Sequence, residues 1–144
     1  MDPITVMGAF ASIIDIVNFL KDTGTPNPTP EAIERVFNSL SADSSRPESR
    51  LKIEKEALQN EIRTVLAVLK VDKDFLDRIN KRCLRPFQAK VNDEDVPEVD
   101  LEEARGVAAK CVCENINMAR KLNGNKFPND EFRRLWEQFG CGSL

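Results

Sequence analysis

The sequence predicts an all-α fold: a helical bundle of four main helices with short accessory helices and a hydrophobic N-terminal helix. Apolar residues recur at steps of three and four through most of the 144-residue chain. Capping residues and prolines stand where these patterns begin, and glycines stand where several of them end. No segment alternates apolar and polar residues over more than four positions, as a half-buried strand does. We therefore expect one helical-bundle domain over residues 1–144.

The first helix is predicted over residues 2–22. Asp2 is expected to cap it and Pro3 to take its first position, where the missing N–H of proline costs nothing. Polar or small residues form one thin stripe along this helix, and the rest of its circumference is apolar. The stripe consists of Thr5, Gly8, Ser12 and Asp15. Such a helix must be enclosed, and the functional question is whether that enclosure is permanent.

Three further helices are predicted in the middle of the chain. A proline-rich connector is predicted over residues 23–30. Thr29, near its end, is expected to cap a short second helix. Pro47 is expected to open a long third helix with coiled-coil-like apolar spacing. The fourth helix should begin at Asp72 or Asp74. Proline at position 86 should kink or end it.

Two helices are predicted in the last third. An acidic loop over residues 92–99 should precede the fifth helix, which a capping box of Asp100 and Glu103 would open. Asn123 and Gly124 supply a left-handed stop for it. The last helix ends at Gly140 and carries four large apolar residues on one face: Phe132, Leu135, Trp136 and Phe139.

Composition excludes most chemistry. The chain has no histidine and no tyrosine, which removes histidine-based acid–base catalysis, Ser-His and Cys-His nucleophiles and mixed Cys/His zinc sites. It has no glycine-rich phosphate loop, and the acidic run at residues 93–95 lacks the glycine and glutamate of a calcium loop. The 21 basic and 24 acidic residues argue against nucleic-acid binding. We predict a non-enzymatic protein without cofactor or metal.

The four cysteines are predicted to be reduced, small buried residues of a cytoplasmic protein, because a chain this long needs no covalent cross-link. They are Cys83, Cys111, Cys113 and Cys141. Residues 111 and 113 point about 200° apart on a helix and so do not share a zinc ion. If the native chain ends at residue 144, Cys141 has the position of a prenylation box, although Gly142 and Ser143 are not its preferred aliphatic residues. The alternative is that the native chain continues.

The apolar run at residues 4–20 is balanced between burial and membrane insertion. Its 17 residues fall short of the roughly 20 that a bilayer core requires. Nine Ile, Val, Phe and Leu residues favour insertion by about 3–5 kcal/mol, and Asp15 opposes it by about 3 kcal/mol. Asp15 would therefore control insertion, and Asp15→Leu should favour it. The side chains that would enter the membrane are Ile4, Val6, Met7, Phe10, Ile13, Ile14, Ile16, Val17, Phe19 and Leu20.

Residues 46–90 carry 12 basic and 7 acidic side chains, a net charge of +5. Five of these cations follow one another along the fourth helix and beyond it: Arg78, Lys81, Arg82, Arg85 and Lys90. One interpretation is that Asp74 and Asp77 pair with cations four residues later and that the other cations complement the helix end. The other interpretation is a contact with anionic lipid headgroups, in which each charge contributes on the order of 1 kcal/mol.

The opening sequence MDPITVMGAFASIIDIVNFL resembles the start of HeLo and HeLo-like domains, which begin Met-Asp-Pro, then an aliphatic residue, then Thr or Ser. The wider group includes Bell domains and the four-helix bundle of the mixed-lineage kinase domain-like protein. The resemblance implies an apolar N-terminal helix that is held in the bundle until activation, after which the domain oligomerises and permeabilises a membrane. It also implies a role in regulated cell death and innate immunity, with an upstream NLR or amyloid-type signalling partner. The chain departs from this group in its net negative charge, and no amyloid motif or nucleotide-binding domain is visible in it.

Two functions follow as hypotheses. The first is a membrane-permeabilising effector domain that binds anionic lipids, self-associates on activation and moves from the cytoplasm to the membrane. The second is a non-enzymatic helical adaptor whose first helix never leaves the core.

Overall fold

The chain is all-helical in the computed structural model, which describes residues 2–143. No strand occurs among these residues, and the prediction of an all-α fold with an apolar first helix is confirmed. Three helices exceed 15 residues, whereas α2 has 12, so the arrangement of four main helices stays a prediction. The α-helices are α1 (Pro3–Asp22), α2 (Pro30–Ser41), α3 (Lys55–Val71), α4 (Lys73–Ile79), α5 (Arg85–Asn92), α6 (Glu98–Leu122) and α7 (Asp130–Gln138).

Short polar contacts fix several helix starts where the sequence predicts them. The Asp2 carboxylate accepts a hydrogen bond from the backbone N–H of Ile4 at 3.1 Å. The side chains of Thr29 and Asp72 accept equivalent bonds at the starts of α2 and α4. Each bond satisfies a backbone donor that would otherwise have no partner in the first turn. The predicted caps of these three helices are confirmed.

Pro47 does not open α3. It begins a 3₁₀ turn (Pro47–Arg50), and residues 51–54 are extended before α3 starts at Lys55. The reason lies in α1, because the buried Leu51 side chain packs against Gly8. A Cβ atom at position 8 would lie 2.8 Å from Leu51 Cδ2, so any larger residue there would require the Leu51 side chain to shift.

The proline at position 86 is accommodated without a break in the helical backbone. A π-helical turn (Asn80–Leu84) separates α4 from α5, and Pro86 lies in the first turn of α5. Proline cannot donate the N–H that a continuous α-helix would use, and a wider turn here removes that demand. The helical backbone thus continues through Pro86 to Asn92, so the proline does not end the helix, and the predicted kink stays a prediction.

The last third differs from the prediction at the start of α6. Pro97 precedes its first turn, so Asp100 lies inside the helix and the predicted capping box does not form. Residues 98 and 99 belong to α6 rather than to the acidic loop. The predicted stops after α6 and α7 are confirmed at Gly124 and Gly140, whose φ angles are +65° and +67°.

The core surrounds α1, which packs against α2, α3, α5 and α6. Two aromatic pairs contribute to the core, and one of them involves α1. The Phe10 ring of α1 meets the Phe139 ring edge-on, with 5.4 Å between the ring centroids, and Phe75 of α4 meets Phe132 of α7 at 4.9 Å. The first helix is thus the central element of the bundle.

Candidate functional site: the enclosed first helix

Ten of the 20 residues of α1 are buried, including Gly8 and Ser12 of its predicted polar stripe. Six of the ten predicted insertion residues belong to them: Met7, Phe10, Ile13, Ile14, Ile16 and Val17. Ile4, Val6 and Leu20 are half-buried, whereas Phe19 is 58% exposed. By length and composition α1 is apolar enough to cross a membrane, with a mean hydropathy of 1.7, but a core helix of a soluble protein passes the same test.

Asp15 is an exposed residue of α1 and connects this helix to the π-helical turn and to α5. One carboxylate oxygen accepts a hydrogen bond from Asn80 Nδ2 at 3.1 Å, and the other accepts one from Gln88 Nε2 at 3.0 Å. These donors stand in the π-helical turn and in α5, 65 and 73 residues away along the chain. We call these two bonds the Asp15 latch. The sequence contained no signal for it, since Asn80 and Gln88 belong to no motif.

The predicted cationic residues lie along the same segment that holds the latch. Lys81, Arg82, Arg85 and Lys90 are exposed, and Arg78 is half-buried. Arg82 and Lys90 line one cleft of about 210 Å³ with Glu103 of α6, whereas Arg78 lines a different cavity beside Asp72 and Asp74. Of the five predicted cations, the structure therefore brings only Arg82 and Lys90 together in one cleft.

None of these five cations forms an ion pair within 4.0 Å in residues 2–143. The pairs that the alternative interpretation expects, Asp74 with Arg78 and Asp77 with Lys81, are not formed. The charges of the exposed cations are therefore available to an external anion.

The cysteines form two disulfides, and the prediction of four reduced thiols is wrong for this structure. Cys83 bonds to Cys111 and Cys113 bonds to Cys141, with Cα atoms 5.5 and 5.4 Å apart. Cys111 and Cys113 do point to different sides of α6, as predicted, and each meets a different partner. The spacing in the sequence does not select this pairing, because Cys83 with Cys113 and Cys111 with Cys141 would also be equally separated, by 30 residues. Position 144, the last of the prenylation box, lies outside the described residues, and Cys141 holds its sulfur in a disulfide.

Both disulfides leave α1 outside their covalent loops. The loops enclose residues 83–111 and 113–141, so they connect the π-helical turn, α6 and the C-terminal segment. Helices α1, α2 and α3 are attached to this unit by non-covalent contacts and by the chain. Departure of α1 would consequently break no covalent bond.

A buried acid that the sequence pattern did not single out lies beside the first turns of α1. Glu61 of α3 is 6% exposed and lines a cavity of about 550 Å³ with Val6, Arg134 and Gln138. Burial raises the pKa of Glu61 from 4.5 to about 7, and the polar side chain of Gln138, which lines the same cavity, opposes part of this rise. Glu61 is thus poised to change charge near neutral pH inside the core.

This pKa predicts how stability depends on pH. Because the folded-state pKa lies above the unfolded value, Glu61 favours the folded state fully below pH 4.5, and this contribution is lost as pH rises to about 7. The total loss corresponds to about 3 kcal/mol. Urea unfolding of Glu61→Gln, which keeps the shape but not the titration, should match the wild type near pH 4.5 and exceed it by about 3 kcal/mol at pH 8. The exposed Glu56→Gln on the same helix is the control, and a Glu61→Gln effect that is equal at both pH values would contradict the prediction.

No group of three or more acidic or cysteine side chains positioned to hold a metal ion occurs in the described part of the chain. The acidic loop instead contacts the bundle through Glu94, whose carboxylate pairs with the Arg50 guanidinium at 2.5 Å. Asp93 accepts a hydrogen bond from the backbone N–H of Asp95 within the loop. Asp93 and Glu94 of this loop therefore make structural contacts.

Comparison of the chain with protein-family models, with curated proteins and with solved structures found no match. The resemblance of the first 20 residues to HeLo-type domains accordingly stays a prediction. Function is argued below from α1 and its surroundings.

Proposed function

We propose that this protein is a membrane-permeabilising effector domain of regulated cell death or innate immunity, akin to HeLo-like domains. In the resting state α1 fills the core. On activation the domain self-associates, α1 leaves the bundle, and its apolar surface enters an anionic membrane. The observation that carries this proposal is that a 20-residue helix apolar enough to span a membrane is held in the bundle by packing and hydrogen bonds and lies outside both disulfide loops.

The Asp15 latch supports a release mechanism. Its two donors flank Lys81, Arg82 and Arg85 in the chain, so the segment that holds α1 is also the segment rich in exposed cations. Anionic headgroups bound to these cations would lie next to the latch. Membrane contact and release of α1 would then be coupled through one element.

The proposed location is the cytoplasm, with movement to the membrane on activation. This location requires the cysteines to be reduced at rest, because the cytosol keeps most thiols reduced. The disulfide-bonded structure describes the oxidised protein. Trapping of thiols in intact cells by a rapid alkylating agent distinguishes these two states.

The decisive experiment leaves the sequence of α1 unchanged. Asp15→Leu changes the hydropathy of α1 as well as the latch, so an effect on release cannot be separated from an effect on insertion. Removal of residues 2–22 takes ten buried residues from the core and would destabilise the whole domain. Gln88→Ala removes one latch bond only. Loss of about 1 kcal/mol should raise the population of the released state about fivefold, and dye leakage from phosphatidylserine-containing liposomes should rise accordingly.

Gln59→Ala is the matched control for this leakage experiment. Gln59 of α3 donates a hydrogen bond to the Glu34 carboxylate of α2 at 3.3 Å. This bond also joins an amide to a carboxylate on another helix, but it does not involve α1. Leakage should stay at the wild-type level in this variant. Equal leakage in the two variants, or none in either after artificial clustering, would remove the proposal.

A second candidate, a helical adaptor domain, is favoured by the burial of 56% of the most apolar stretch of α1. In this case the exposed surface of the bundle binds a protein partner and α1 only fills the core. Gln88→Ala would then change stability slightly without any lipid effect. The liposome experiment therefore separates the two functions.

A further inference from the structure

The outward face of α6 carries a charge pattern that complements itself. Six exposed residues follow one another at steps of four, three, four, four and three, which keeps them within about 60° of one line along the helix. We call them the α6 stripe: Glu103, Val107, Lys110, Glu114, Met118 and Lys121. Val107 and Met118 are 67% and 53% exposed, although they are large apolar residues in a well-packed domain.

Reversal of the stripe exchanges every charge for its opposite. When a second α6 lies antiparallel with its centre near Val112, Glu103 faces Lys121 of the second copy and Lys110 faces Glu114. In the same register Val107 lies beside Met118 of the second copy. Two-fold symmetry produces each contact twice, as in any isologous interface.

The charges of the stripe have no ionic partner in the described part of their own chain. Among residues 2–143 none of its four charged side chains forms an ion pair within 4.0 Å. Glu103 and Lys121 stand 18 residues apart, which is about 27 Å along the helix, so they do not meet within one α6. A parallel arrangement would bring like charges together instead.

We infer that two copies of this chain form an antiparallel homodimer through the α6 stripe. The occupant of this face is a second copy because the charge order and the two apolar residues fit the same surface after a two-fold rotation. The interface is partly ionic, so the dimer should dissociate as ionic strength rises. The inference concerns the folded domain and does not depend on membrane action.

Sedimentation equilibrium of the full chain at low salt tests this inference. The wild type should dimerise in a concentration-dependent manner. Glu103→Lys and Lys121→Glu should each weaken self-association by at least about tenfold, because each variant opposes two pairs of like charges. An equimolar mixture of the two variants should dimerise like the wild type, since both opposed pairs become complementary between the two chains.

Controls of equal charge change separate the stripe from net charge. Glu56→Lys and Lys70→Glu, both exposed on α3, should dimerise as the wild type does. Circular dichroism should show that all variants are folded. A monomeric wild type at every concentration, variants that dimerise normally, or a mixture no stronger than its components would each overturn the inference.

Discussion

Removal of either disulfide is expected to lower the free energy of unfolding by about 3–4 kcal/mol. Each bridge closes a loop between cysteines separated by 28 residues, and the loss of unfolded-chain entropy for a loop of this length gives this magnitude. The double variant Cys113→Ser/Cys141→Ser should therefore melt about 10 °C below the oxidised wild type. Thermal unfolding followed by circular dichroism, with and without dithiothreitol, measures the effect.

The control for this prediction is a count of free thiols. Iodoacetamide added to the denatured, unreduced protein should modify no cysteine, and after reduction it should modify all four. In the Cys113→Ser/Cys141→Ser variant, dithiothreitol should lower the melting temperature only through reduction of the remaining Cys83–Cys111 bridge. Four reactive thiols without reduction, or an unchanged melting temperature after reduction, would contradict the disulfide assignment.

The two bridges make α6 the covalent centre of the domain, whereas α1 is its packing centre. Cys111 and Cys113 point to different sides of α6, so one bridge holds the π-helical turn and the other holds the C-terminal segment. The helices that precede this unit depend on buried side chains instead. Loosening α1 and loosening the bridges should accordingly be separable experiments.

Local features of the fold were predictable because their causes are local. Asp2, Thr29 and Asp72 cap helices through bonds that span two or three residues, and these spacings can be recognised in the sequence. The stops at Gly124 and Gly140 need a positive φ angle, which glycine adopts without a steric cost.

Features that depend on distant residues were missed. A third helix that began at Pro47, as the sequence predicts, would include Leu51, but Leu51 lies in an extended segment and packs against Gly8 of α1. Glu61 interrupts no apolar pattern, so its burial follows only from the packing of α3 against α1 and α7. The Asp15 latch spans 65 and 73 residues, and nothing in the local sequence marks Asn80 or Gln88 as its donors. The apolar surface of α1 was visible in the sequence, whereas the contacts that restrain it were not.

Because packing restrains α1, we expect a second large loss of stability when Phe139 is substituted. Phe139→Ala should lower the free energy of unfolding by about 3–5 kcal/mol, because it removes a buried ring that packs edge-on against Phe10 of α1. Urea denaturation measures this loss. If the destabilisation falls on the packing of α1, the released state becomes roughly 10²–10⁴ times more populated, and leakage of anionic liposomes should begin at a much lower protein concentration.

Phe132→Ala is the matched variant that decides whether instability alone causes leakage. Phe132 is equally buried, but its aromatic partner is Phe75 of α4, so its loss costs similar stability without removing the aromatic contact to α1. We expect leakage to increase for Phe139→Ala and not for Phe132→Ala at matched unfolding free energy. Equal leakage would mean that general unfolding exposes apolar surface to lipid, and the specific release of α1 would have to be abandoned. The comparison works because both substitutions leave the sequence of α1, the Asp15 latch and the exposed cations unchanged.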